Sequence, residues 1–228
     1  MRHQFTRTAT VFIAVAGMLA VVACSAGSST TGTGTGSAGT IHTLTVGLVA
    51  EPASLDFTRT DGAAIPQALH YNVYEPLVKL TNDGSVIPDL ATSWRVSPDR
   101  RTYTFDLVAG AKFSNGVPFT AADAAFSINR VKTDWTISLK AAMDVVQEVT
   151  ALSPTRLQVR LSKPSNDWLY GMTTRVGAMF SRTGVDKLAT NPIGTGPYIL
   201  KRWNRGDSIS LQRNDSYWGK KPFFQTVN

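Results

Sequence analysis

Few residues in this 228-residue chain combine a reactive side chain with a spacing that suggests chemistry. The one cysteine, Cys24, follows directly on an apolar run ending Val21-Val22-Ala23. A lone thiol forms no internal disulfide and no cysteine metal cluster. His3, His42 and His70 are the only histidines, and none has a cysteine or acid at a metal-ligand or triad spacing. Gly-x-Ser-x-Gly, a phosphate loop and His-Glu-x-x-His do not occur. The sequence therefore names no catalytic residue, no metal ligands and no cofactor motif, and it reads as a non-enzyme. Two stretches suit holding a molecule instead. Glu51-Pro52-Ala53-Ser54 follows an apolar segment and places a carboxylate where a strand-end loop would rim a cleft. Gly194-Thr195-Gly196-Pro197 is a rigid, glycine-bearing bend. Each has a plainer reading: a solvated loop acid for Glu51, a packing turn for the glycines.

The elements that must position these residues begin after residue 40. Met1 to Arg7 is basic, and Ala9 to Ala23 is apolar except for Thr10 near its start and Gly17. That run is short for a membrane span, which takes about 20 residues. A basic start and a short apolar core predict a secretory signal peptide over residues 1–23. Residues 25–40, SAGSSTTGTGTGSAGT, contain nothing that repays the entropy of ordering, so 24–40 reads as a flexible linker.

From residue 41 onward the pattern is that of a folded domain. Apolar alternation predicts a strand over His42–Val49 that enters a core, and helical spacing predicts a helix over Ala63–Tyr74. A short strand at Leu77–Leu80 runs into an Asn82-Asp83-Gly84 turn. Hairpins are expected at Trp94–Val96 with Thr102–Val108, at Val145–Leu152 with Arg156–Leu161, and at Tyr198–Trp203 with Ser208–Gln212. In the first, Tyr103, Phe105 and Leu107 share a face. Thr120 and Asp123 predict a capped helix start, with the helix running to about Val131. Hairpins interleaved with helices imply an α+β, or mixed α/β, class. Arg205-Gly206-Asp207 matches an adhesion tripeptide, but a hairpin turn accounts for it. The formal charge of +7 falls to +5 without Arg2 and Arg7, and no dense basic run with interleaved aromatics suggests nucleic acid.

Four ordered stretches carry a resemblance. They are Glu51-Pro52-Ala53-Ser54-Leu55-Asp56; Tyr74-Glu75-Pro76-Leu77-Val78 with Ile87–Trp94; Tyr103–Leu107 with Lys112–Asp123; and Gly194-Thr195-Gly196-Pro197-Tyr198 with Arg213–Trp218. Together they resemble the bacterial extracytoplasmic solute-binding protein family 5, the peptide- and nickel-binding components of ABC importers. Val21–Cys24 likewise resembles a lipobox, which implies lipidation of Cys24 and export to the outer face of the cell membrane.

The resemblance covers residues 41–228. It implies the first lobe of a two-lobed, periplasmic-binding-protein type II-like fold, with the C-terminal lobe missing and the chain stopping about halfway. It further implies a monomer that hands a peptide or similar small solute to a permease and its ATPase. It places Glu51, Pro52, Ala53, Ser54, Gly194, Thr195 and Gly196 near the ligand, with Glu51 facing a peptide's free amine. The readings left beside it are a truncated remnant that binds nothing and a surface-anchored hydrolase or adhesion protein.

Overall fold

A computed structural model describes residues 42–228. The expected signal peptide, the lipidated Cys24 and the linker lie outside those residues. In chain order the elements are β1 (Thr43–Leu44), α1 (Ala64–Leu69), β2 (Val78–Leu80), β3 (Val86–Pro88), β4 (Ala91–Val96) and β5 (Thr102–Leu107). They continue with α2 (Ala121–Asp134), β6 (Val146–Ser153), β7 (Arg156–Leu161), α3 (Asp167–Gly171), β8 (Tyr198–Asn204), β9 (Ser208–Arg213) and β10 (Thr226–Val227). The class is the mixed one expected.

One sheet is fully antiparallel, in the order β4-β5-β7-β6. Its period-2 pattern does what the sequence predicts. Tyr103, Phe105 and Leu107 of β5 and Leu157, Val159 and Leu161 of β7 are all buried on one face. The opposite face carries Asp106, Arg156 and Arg160, which water can solvate. Helix α2 covers the apolar face with Ala121, Ala124, Ile128 and Val131. Its start is the predicted capping box: the Thr120 amide donates to Asp123 Oδ2 at 3.0 Å. Beneath it, Phe57, Tyr74, Trp135 and Phe180 form a buried aromatic block, with ring centroids of neighbouring pairs 5.1 to 6.5 Å apart.

The other four-stranded sheet, ordered β1-β10-β9-β8, joins the two ends of the described chain. β1 runs parallel to β10, and the remaining pairs are antiparallel. β2 and β3 form a separate hairpin across a turn with Gly84 at φ +84°.

Two expectations need correction. The predicted strand over His42–Val49 is only two residues long. Rather than entering a core, it leaves Val46, Leu48 and Val49 exposed. β1 lies at the sheet edge, and its partner among the described residues is β10, itself only two residues long. The predicted helix over Ala63–Tyr74 stops at Leu69, where His70 is extended and Tyr71 takes a left-handed φ of 63°. The carbonyls of Asn72 and Val73 are thereby turned outward, and they accept from the amides of Tyr198 and Gly196, both at 2.9 Å. A helix continued to Tyr74 would point those two carbonyls along its axis rather than out to the 196–198 segment.

Candidate functional site

The seven residues singled out for ligand contact separate into two regions. The first is the loop after the exposed segment that ends at Ala50. Pro52 is buried and anchors the loop, while Glu51 and Ala53 are exposed. The loop is rigid. The Asp56 amide donates to Ser54 Oγ at 3.0 Å, and Asp56 Oδ1 accepts from the amide and the hydroxyl of Thr58 at 3.0 and 2.6 Å.

The Glu51 carboxylate is held by the β8–β9 hairpin. Its Oε1 accepts from the Trp203 indole at 3.0 Å, and its Oε2 from the Gly206 amide at 3.1 Å. Arg205 Nε lies 3.3 Å from Oε1, and Arg205 Nη1 donates to the Ala53 carbonyl at 3.2 Å. The guanidinium sits 4.1 Å above the Trp203 ring, a cation–π contact. Loop and hairpin thus form one rim. Beside it lies an open depression of about 560 Å³, lined by Ala53, Ser54, Asn191, Lys201, Arg202 and Arg205 among others.

The second region is built on Glu75, which is 3% exposed. Thr195 Oγ1 donates to it at 2.8 Å, Tyr217 Oη at 2.5 Å and Trp218 Nε1 at 2.9 Å. No cation bonds it. Burial, helped by the nearby charge of Asp89, pushes its carboxyl up to about 7. The same burial, together with Glu75's charge, raises the Tyr217 phenol. Gly194 and Gly196 are required here by close approach. A Cβ on Gly194 would lie 1.9 Å from the Val73 carbonyl oxygen, and one on Gly196 would lie 2.4 Å from that of Asn72. Asn214 Nδ2 closes the cage by donating to the Gly196 carbonyl at 3.1 Å.

Glu51, Ala53 and Ser54 therefore stand at an accessible rim, with Pro52 beneath them. Gly194, Thr195 and Gly196 are buried and tie three segments of chain together. Sequence reasoning passed over Lys201 and Arg202, read Arg205 only as part of a hairpin turn, and read Trp203 as a packing residue more readily than a ligand-stacking one. Their signal was three cations within the five residues Lys201-Arg202-Trp203-Asn204-Arg205. It also passed over Glu75, whose signal was an acid in an otherwise apolar Tyr74–Val78 stretch. Arg205-Gly206-Asp207 is the expected turn, with Gly206 at φ +76°. His70 was expected on a helix face or at a helix cap. It stands at the C-cap of α1 as a half-buried ring, with Nε2 2.9 Å from the Thr173 carbonyl, and burial lowers its pKa. Among the described residues, no three His, Cys, Asp or Glu side chains assemble as a metal-holding group.

Comparison with known proteins gives this geometry its context. The nickel-binding periplasmic protein of Escherichia coli K12 is 39% identical over 166 residues, which is 68% of this chain and 31% of that protein. The solved structure of AgaA from A. tumefaciens R10 with agropinic acid is similar at a TM-score of 0.74 and 29% identity, covering 81% of this chain and 38% of that one. The Escherichia coli murein tripeptide binding protein MppA aligns at a TM-score of 0.74 and 28% identity, covering 82% and 41%. The chain thus spans 31% to 41% of the length of these relatives, consistent with a single lobe. Residues 85–228 match the model described as bacterial extracellular solute-binding proteins, family 5 middle, and the chain belongs to that family.

Proposed function

We propose that the protein carrying this chain is the solute-binding component of an ABC importer. It captures a peptide or a similar small solute outside the membrane and passes it to a permease and its ATPase. The observation that carries this reading is the rim itself. An accessible loop at residues 51–54 is stapled to the β8–β9 hairpin beside an open depression, in a chain of a solute-binding family. No chemistry is done on the solute. The lobe described here supplies one wall of the cleft, and binding energy is coupled to closure against a second wall.

Export by the signal peptide and anchoring through a lipidated Cys24 complete the proposal. Two or more acyl chains, at about 0.8 kcal/mol per buried methylene, hold a protein firmly to a membrane. The linker over residues 24–40 gives the lobe reach, and the protein acts as a monomer.

Calorimetric titration of the purified protein with a mixed di- to pentapeptide pool tests the reading. Saturable binding in the micromolar range or tighter is expected. A folded protein, verified by circular dichroism, that gives no heat with the pool would overturn it. Cys24→Ser is expected to release the protein from the membrane fraction, and a variant that stays bound would remove the lipid anchor from the proposal.

A further inference from the structure

The charges around the rim point away from amine recognition. Glu51 is the carboxylate that would meet a solute's amine, yet both its oxygens already have partners within the lobe. Arg205 is likewise occupied, by Glu51, the Ala53 carbonyl and the Trp203 ring. Two charges remain. Lys201 and Arg202 are exposed, and among the described residues neither side chain makes a hydrogen bond or an ion pair.

Consecutive strand residues normally point to opposite faces of a sheet. Here the register of β8 against β9 shifts between Leu200, which faces Leu211, and Arg202, which faces Ser210. Lys201 is the extra residue of a bulge and has no cross-strand partner. Bulges re-aim side chains and are over-represented beside functional sites. The result is that Lys201 and Arg202 both line the 560 Å³ depression at the 51–54 loop. Both also line a second depression of about 520 Å³ on the flanking sheet, whose other lining residues are Thr45, Asn204, Ser208, Ser210, Thr226 and Asn228. Neither depression has an acidic lining residue.

From this geometry we infer that the β8 bulge forms a carboxylate-binding subsite, in which Lys201 and Arg202 together hold an anionic group of the captured solute. The subsite rests on the solute-binding reading above and names the charge of what is bound. A carboxylate is the matching group because it accepts from both cations at once, and charge-assisted bonds of this kind are about twice as strong as neutral ones. The polar hydroxyls and amides of the neighbouring depression supply further donors, and no apolar side chain competes there.

The experiment compares the di- to pentapeptide pool with the same pool converted to C-terminal amides, by titration of the full chain at low salt and at 0.5 M salt. Amidation is expected to weaken binding about tenfold, which corresponds to about 1.4 kcal/mol. High salt is expected to weaken binding of the free acids more than that of the amides. The double substitution Lys201→Ala with Arg202→Ala, at two exposed positions, is expected to erase the difference between the pools. If the amides bind as tightly as the acids, or the double variant keeps the preference, the subsite is overturned and the solute-binding reading stands. If neither pool binds a folded protein, the solute-binding reading fails and the subsite with it.

Discussion

Glu51 and Glu75 are two carboxylates in the same lobe, each gripped by residues far away in sequence, and they serve opposite ends. Glu51 is exposed, paired with an arginine and bonded to one hairpin. Glu75 is buried, takes neutral donors from Thr195, Tyr217 and Trp218, and joins three chain segments. A charge in water with a cation beside it is a modest contributor to stability, because solvent already satisfies it. A charge out of water is costly in itself, while the donors aimed at it are costly to leave unmade. The rim can therefore vary its chemistry at little cost to the fold, whereas the cage cannot.

Substitutions sharpen this contrast, and the largest effect is expected at the cage's glycines. Gly194→Ala drives a methyl group into the Val73 carbonyl, where backbone rather than a flexible side chain must move. A loss of about 4 kcal/mol is expected, at the extreme of single substitutions, read as a fall in denaturant midpoint. A stable Gly194→Ala protein would mean that the segment is not locked.

Glu75→Ala follows. It strands the Thr195, Tyr217 and Trp218 donors and is expected to cost about 3 kcal/mol. Glu75→Gln keeps an acceptor and removes the charge, so it is expected to stay within about 1 kcal/mol of the parent at pH 8.

The same pair predicts a pH dependence. The Glu75 carboxyl stands at about 7 in the fold, above its ordinary 4.5, so the folded state binds the proton more tightly. Its contribution is fully present below pH 4.5 and is lost as pH rises through 7. Between those limits this group alone makes the protein less stable with rising pH, by up to about 3 kcal/mol. Thermal unfolding at pH 5.5 and 8 would show the slope in the parent and its absence in Glu75→Gln. A slope that survives the substitution would assign it to other groups, Asp89 first.

The smallest effect belongs to the rim. Glu51→Ala is expected to cost no more than about 1 kcal/mol, and less at high salt, which screens the pair with Arg205. A larger loss would place Glu51 with the cage rather than at the rim.

Local order was legible in the sequence wherever the cause was local. The alternation Tyr103-Phe105-Leu107, the Thr120–Asp123 box and the turn glycines act over a few residues, and the structure has them where the pattern predicts. The helix over Ala63–Tyr74 was misread because the Asn72 and Val73 carbonyls accept from Tyr198 and Gly196 respectively, more than a hundred residues away. The packing of Gly194, Thr195 and Gly196 against the 72–73 backbone was not legible for the same reason. A glycine-bearing bend near a ligand and one packed against another backbone look alike until the second backbone is known.

The sequence by itself determined the class of fold, the hairpins and the absence of a catalytic signature, because side-chain period and turn chemistry are written in neighbouring residues. It also carried the ordered motifs by which the family is recognised. Only the tertiary structure decided that Glu75 is a pin and Glu51 a rim, and that Lys201 and Arg202 line the same depressions. Burial, cross-strand register and long-range donors set the role of a charge, and none of these exists until distant segments meet.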